Sequence, residues 1–185
     1  MTAGPANPAP DDCGPRALLV CGILAADIAL LDEAEAALGR EFGPVTDRSA
    51  DIPFDFTDYY EAEFGPGLVR RWVGFSPPCA AVLLAAAKLA TGAIEQAFAV
   101  AGRRRVNLDP GLLTLHNLVL ATTKDFAHRI YLRDGIRAEL TLLYADGGWV
   151  PLPWTYPDYR TEACHQLLTR CRAHLLDPPT SPSRN

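Results

Sequence analysis

Between Thr122 and Arg129 the chain sets two hydroxyls, an ammonium, a carboxylate, an imidazole and a guanidinium within eight residues. Thr122, Thr123, Lys124 and Arg129 are donors of the kind that hold phosphate or carboxylate oxygens, and His128 can transfer a proton near neutral pH. The same residues also suit a solvated loop in which Lys124 and Asp125 balance each other.

Three further clusters carry chemistry. Asp55, Thr57, Asp58, Tyr59 and Tyr60 are flanked by Phe54 and Phe56. Two carboxylates three residues apart can hold Mg²⁺ or act as acid and base if they share a helical turn, and Tyr59 can stack on a ring. Capping of a short helix by Asp55 or Thr57 is the plainer alternative. Asn107 and Asp109 precede Pro110 and Gly111, a combination that makes a turn. Asp109 either shapes that turn or projects from the strand end toward a ligand, and Asn107 needs partners if it is buried. Trp154, Thr155, Tyr156, Pro157, Asp158 and Tyr159 form a rigid aromatic segment that either covers a pocket or plugs the core.

Other groupings fall short. Arg103, Arg104 and Arg105 follow a helix end, where cations oppose the dipole, and three charges do not define a nucleic-acid surface. Cys164, His165, Cys171 and His174 lack the paired spacing of a structural zinc site. His116 and His128 lack the hydrophobic-Thr pattern of two-histidine enzymes. No metal or cofactor is assigned.

The elements that must position these groups can be read from periodicity and caps. Ala17–Ala25 reads as a strand buried on both faces, and Asp27 caps a helix that Gly43 and Pro44 end. Extended stretches follow at Arg48–Phe56 and Leu68–Phe75. Ser76, Pro77 and Pro78 open a helix reaching Val100. Arg104–Leu108 is a strand stopped by the Asp109–Gly111 turn, and Leu112–Thr122 fits a strand or a short helix. Arg133, Asp134 and Gly135 join His128–Leu132 to Ile136–Tyr144 as a hairpin. Asp146–Gly148 turns into Trp149–Leu152, and Thr161–Leu176 is a closing amphipathic helix. The order predicts an α+β fold: a mostly antiparallel sheet with helices on one face, a ferredoxin-like split β-α-β core, and an extra C-terminal hairpin and helix.

The 185 residues suit one domain, expected at 17–176 between proline-rich tails at 1–16 and 177–185 that are expected to be disordered. Apolar residues at 49% and charged residues at 21% exclude disordered and coiled-coil classes. The longest apolar run, Cys79–Ala87, is too short for a membrane span, and the first residues lack the pattern of a secretory signal. Five irregularly spaced cysteines suit free thiols, so the expected location is the cytoplasm. A net charge of −5 argues against broad nucleic-acid binding, and no membrane partner is expected.

The segments PFDFTDYYEAEFGPGL (53–68), RRVNLDPGLLTLHNLVLATTKDFAHRIYL (104–132) and PLPWTYPDYR (151–160), with the earlier CGIL, resemble a bacterial family known as domain of unknown function four-four-one-six. The resemblance spans about residues 17–175 in order. It implies a single-domain cytoplasmic protein, and some members carry the label GTP-binding protein. The residues do not supply a Ras-like mechanism. There is no G-x-x-x-x-G-K-[ST] loop, and Thr123-Lys124-Asp125 lacks the residue that separates lysine from aspartate in a guanine-reading motif. The Asp-x-x-Gly match at Asp11–Gly14 falls in the expected tail.

The sequence therefore points to a pocket for a small anionic ligand, phosphorylated or nucleotide-like. Lys124, Arg129 and Thr123 hold the anion, His128 and Asp58 are the catalytic candidates if it is an enzyme, Asp55, Asp58 or Asp109 takes a hydroxyl or metal, and Asn107 is a further ligand-binding residue. Tyr59, Trp154 or Tyr156 stack on the ligand. The alternative is a noncatalytic adaptor whose aromatic surface binds a protein or single-stranded RNA. Enzyme status and protein partners are left open.

Overall fold

The computed structural model describes residues 16–57 and 61–176. The expected tails lie outside these residues, except Arg16, which opens the first strand. Asp58 and Tyr59 also lie outside them.

Strand β1 (Arg16–Ala25) is the apolar run ALLVCGILA, and it is central and buried on both faces. Helix α1 (Ile28–Phe42) follows; the Asp27 side chain accepts from Leu30 N at 2.8 Å, and Gly43 at φ 102° closes it. Next come β2 (Val45–Arg48), β3 (Ile52–Pro53), the one-turn helix α2 (Glu61–Phe64) and β4 (Val69–Phe75). The helix expected from Ser76 begins later. Cys79–Ala80 forms a short strand, β5, against Arg16–Ala17, and α3 spans Leu84–Ala97 after a 3₁₀ turn. Strands β6 (Val106–Leu113), β7 (Asn117–Thr122), β8 (Arg129–Arg133), β9 (Ile136–Ala145) and β10 (Gly148–Pro151) lead to α4 (Glu162–Leu176). Asp134 and Gly135, both at positive φ, make the expected hairpin turn between β8 and β9.

The fold is α+β, one antiparallel sheet in the order β10-β9-β7-β6-β1-β4-β2, with β3, β5 and β8 paired off this path. The strands from β7 onward extend the sheet beyond β6. Helices α1 and α3 cover one face, over Cys21, Ile23, Val73 and Leu108. Helix α4 covers part of the other, over Leu18, Val20, Trp72 and Leu113. Among the described residues no helix is long and apolar enough to cross a membrane.

The turn expected at Asp109–Gly111 is corrected: β6 runs straight through it, with Asp109 opposite Gly22 and Pro110 opposite Cys21. The reason lies on the far side of β6. It pairs with β7 only over Gly111–Leu113, and the two strands then part. The N–H of Leu108 donates to Glu95 Oε1 at 2.6 Å and its carbonyl accepts from Lys88 Nζ at 2.7 Å, so α3 replaces the missing strand. Pro110, two residues on, faces the same way, where its lack of an N–H breaks no ladder.

Gly74 on β4 seats α4. A Cβ there would overlap Cys171 Sγ. Gly74→Ala is therefore expected to cost about 1–3 kcal/mol in urea denaturation, with much of the loss recovered in Gly74→Ala/Cys171→Ala. Equal losses in the two variants would contradict this packing.

Candidate functional site

Where β6 and β7 part, a cavity of about 560 Å³ passes from α3 on one face of the sheet to the 3₁₀ turn before α4 on the other. That volume lies within the range of small-molecule sites. On the α4 face, strand alternation turns Arg70 (β4), Asn107 and Asp109 (β6) and Glu139 (β9) the same way. All four line the cavity.

Arg70 is the centre of its buried end. Its Nε donates to Asp158 Oδ2 at 2.9 Å and its Nη2 to Asp109 Oδ2 at 3.0 Å. To reach Asp109 the guanidinium crosses β1 above Gly22, where a Cβ would stand 3.1 Å from Arg70 Cζ and 2.8 Å from Tyr159 Oη. The chain of contacts continues outward. Asn107 Nδ2 donates to Asp109 Oδ2 at 2.8 Å, Arg104 Nη1 donates to Asn107 Oδ1 at 3.3 Å, and Arg104 pairs with Glu63 at 2.7 Å. Asn107 is thus a buried amide with partners on both sides.

The two aspartates beside Arg70 are driven apart. Burial pushes the Asp158 carboxyl up, and Arg70 only partly offsets it while the charge on Asp109 adds to it. Burial also works against ionised Asp109, but Arg70, then Lys88, overcome it and hold its carboxyl below the ordinary range. Burial raises Glu95 as well, with Lys88 opposing. Two carboxyls on one guanidinium with opposite shifts are an arrangement able to hold one proton donor and one proton acceptor.

The exposed rim is formed by Thr57, Thr123, Lys124 and Tyr156, with Arg129 partly buried below them. Arg129 is braced by Glu139 Oε2 at 2.6 Å, the Tyr156 hydroxyl at 2.9 Å and the Lys124 carbonyl at 3.1 Å. Phe54 and Phe56, edge to face at 5.5 Å, supply an apolar wall.

Of the residues singled out in the sequence, Asn107, Asp109, Thr123, Lys124, Arg129 and Tyr156 meet in this cavity. Three stand outside its lining. Asp55 is exposed. His128 stacks on Trp154 at 4.7 Å, and its Nε2 contacts Glu139 Oε2 at 2.9 Å, so it backs the wall instead of facing the ligand space. Trp154 Nε1 donates to the Leu140 carbonyl at 2.8 Å. The sequence reading missed Arg70, Lys88, Glu95 and Glu139 as site residues. Their signal was a charge inside an otherwise apolar strand or helix, which demands a partner once buried.

Fold and cavity together define a class: a protein of one antiparallel sheet whose ligand-sized opening lies where two neighbouring strands separate. The chain belongs to the family described as Domain of unknown function (DUF4416), whose model matches residues 15–174. No curated protein and no solved structure matches it.

The split between the two aspartates predicts opposite pH trends. Asp109 has a lowered folded pKa, so its ionised form adds stability above the ordinary 3.8. Asp109→Asn should lose about 1–3 kcal/mol at neutral pH and approach wild type in acid. Asp158 has a raised folded pKa, so its ionisation costs stability above 3.8. Asp158→Asn should therefore gain relative to wild type as pH rises. Urea denaturation from about pH 3 to about pH 7 checks both, and parallel profiles would refute the assignment.

Proposed function

We propose that this protein binds a small phosphorylated ligand in the cavity at the strand split, with the phosphate at the rim and the body of the ligand in the buried end. One observation carries the reading: chain segments at 54–57, 107–109, 122–129 and 156–159 supply the walls of a single cavity of about 560 Å³. Five cations and four carboxylates line it. Because they nearly balance, their placement decides where an anion sits. Arg70, Lys88 and Arg104 are surrounded by Asp158, Asp109, Glu95 and Glu63, which makes the buried end inhospitable to an anion. At the rim Lys124 and Arg129 stand with Thr122 and Thr123, and among the described lining residues the carboxylate there is Glu139, paired with Arg129. Point charges and hydroxyls of this kind suit phosphate oxygens. The acids and the Asn107 amide suit hydroxyl and amine groups, and Tyr156, Phe54 and Phe56 suit an apolar ring face.

A cytoplasmic setting belongs to the same proposal, supported by the four described cysteines, Cys21, Cys79, Cys164 and Cys171, all unpaired. A second reading, the adaptor, has the exposed Phe126, Ile130, Tyr131 and Leu132 beside the hairpin in its favour.

A thermal-shift series with inorganic phosphate, glycerol 3-phosphate, ribose 5-phosphate and nucleoside mono- and triphosphates, with and without Mg²⁺, tests the reading. At least one phosphate compound should raise the melting temperature of wild type, and the exposed Lys124→Glu should weaken it about tenfold or more without loss of fold. A flat response to the whole series would end the phosphate reading and favour the adaptor.

A further inference from the structure

Three residues of the cavity lining each carry a buried polar atom with no partner among the described residues: Glu139 Oε1, Arg70 Nη1 and Tyr159 Oη. Their residues are 1%, 3% and 2% exposed. An unsatisfied polar atom so deeply buried is costly, and natural proteins keep few of them without a use.

Glu139 is the most informative. Arg129 Nε at 2.6 Å and His128 Nε2 at 2.9 Å both converge on Oε2. Two donors crowd one oxygen while the other has none among the described residues. The stacking of His128 on Trp154, and the bracing of Arg129 by Tyr156 and the Lys124 carbonyl, hold both donors in place. The unused oxygen is therefore a fixed acceptor beside the rim cations. At the other end, Arg70 Nη1 is a fixed donor, because Asp109 and Asp158 pin the remaining guanidinium nitrogens. Tyr159 Oη, held close above Gly22, can donate or accept.

A ligand that satisfies these atoms must donate near its phosphate and accept further in. Hydroxyl groups do both, and a chain or ring of them does so at several points. Resting on the phosphate reading above, we infer that the cavity recognises a phosphorylated sugar, and that Glu139 is a specificity-determining residue whose Oε1 accepts a hydrogen bond from a sugar hydroxyl. The sugar phosphate is either free or the ribose phosphate of a nucleotide. In the second case Phe54 and Phe56 face the base.

Titration calorimetry on the full chain separates these ideas. Ribose 5-phosphate, AMP and GMP are compared with pentyl phosphate, which matches the sugar in length and carries no hydroxyls. Wild type is expected to prefer at least one hydroxylated probe over pentyl phosphate by about tenfold or more. Glu139→Gln, whose amide oxygen can stay with Arg129 and His128, should bind pentyl phosphate at least as tightly as wild type, because a rim carboxylate is gone, and lose most of that preference. Should the variant fail to fold, 2-deoxyribose 5-phosphate and other single-deoxy sugars test the contact from the ligand side, and one of them should lose about tenfold on wild type. Tighter binding of a nucleotide than of ribose 5-phosphate identifies the nucleotide as the source, and the reverse identifies the free sugar phosphate. If pentyl phosphate binds as tightly as every hydroxylated probe, the sugar inference is overturned while phosphate binding stands. If the preference survives intact both in folded Glu139→Gln and with every single-deoxy sugar, Glu139 is not the reader. If no phosphate binds at all, the parent reading fails with it.

Discussion

A guanidinium buried above a residue with no side chain is the constraint on which the rest of this structure turns. Arg70 lies in β4, Asp109 in β6, and β1 runs between them. Any side chain at position 22 would stand in the path of the guanidinium and against the Tyr159 hydroxyl. Gly22 leaves that path open, so one arginine ties three strands to the turn that launches α4. The price is a desolvated cation, balanced by Asp158 and Asp109. Removing either end of such a group leaves an uncompensated charge inside the protein, so cavity wall and fold are held by the same contacts.

The second constraint is the parting of β6 from β7. A sheet that loses a strand partner must find other acceptors and donors for its backbone. Here Lys88 and Glu95, seven residues apart on one side of α3, clamp the Leu108 peptide groups. This keeps β6 straight beside an opening and brings α3 side chains to the cavity. Pro110 marks the junction, at a position facing away from β1. The opening is thus made by the sheet's own geometry, and the segments at 54–57, 122–129 and 156–159 complete its walls.

Much of this fold was legible. Asp27 and Gly43 announced the ends of α1, the apolar run ALLVCGILA announced a strand buried on both faces, and Asp134-Gly135 announced a hairpin. The rim was also legible, because Lys124, Arg129 and Thr123 are polar residues clustered along the chain. The cavity floor was legible in Asn107 and Asp109 but not in its centre, Arg70. Arg70 and Arg71 are adjacent, and strand alternation sends them to opposite faces. Arg71 goes to Asp32, Glu35 and Asp51 beneath α1, while Arg70 goes to Asp109 and Asp158. Which of two neighbouring arginines faces a cavity depends on what lies far away in sequence, and periodicity carries no such information. Asp109-Pro110-Gly111 was misread for a related reason. A local turn signal was overruled by β1, which pairs with β6 along its whole length, together with α3, which stands in for the missing strand on the other side.

The charge pattern across the cavity also bears on how a phosphate compound would lie in it. A uniformly basic cavity would draw any anion in any orientation. Here the deep cations are each matched by acids, and Asp109 and Asp158 differ in their hold on a proton because only Asp109 gains enough from Arg70 and Lys88 to overcome burial. An anionic group pushed to that depth would meet carboxylates with little water to screen them, whereas at the rim it meets Lys124 and Arg129 close to solvent. Repulsion at the floor and attraction at the rim act in the same direction. Orientation would thus be set before any single hydrogen bond forms, and the unpartnered oxygen of Glu139 would then be left to discriminate among ligands already held the right way round.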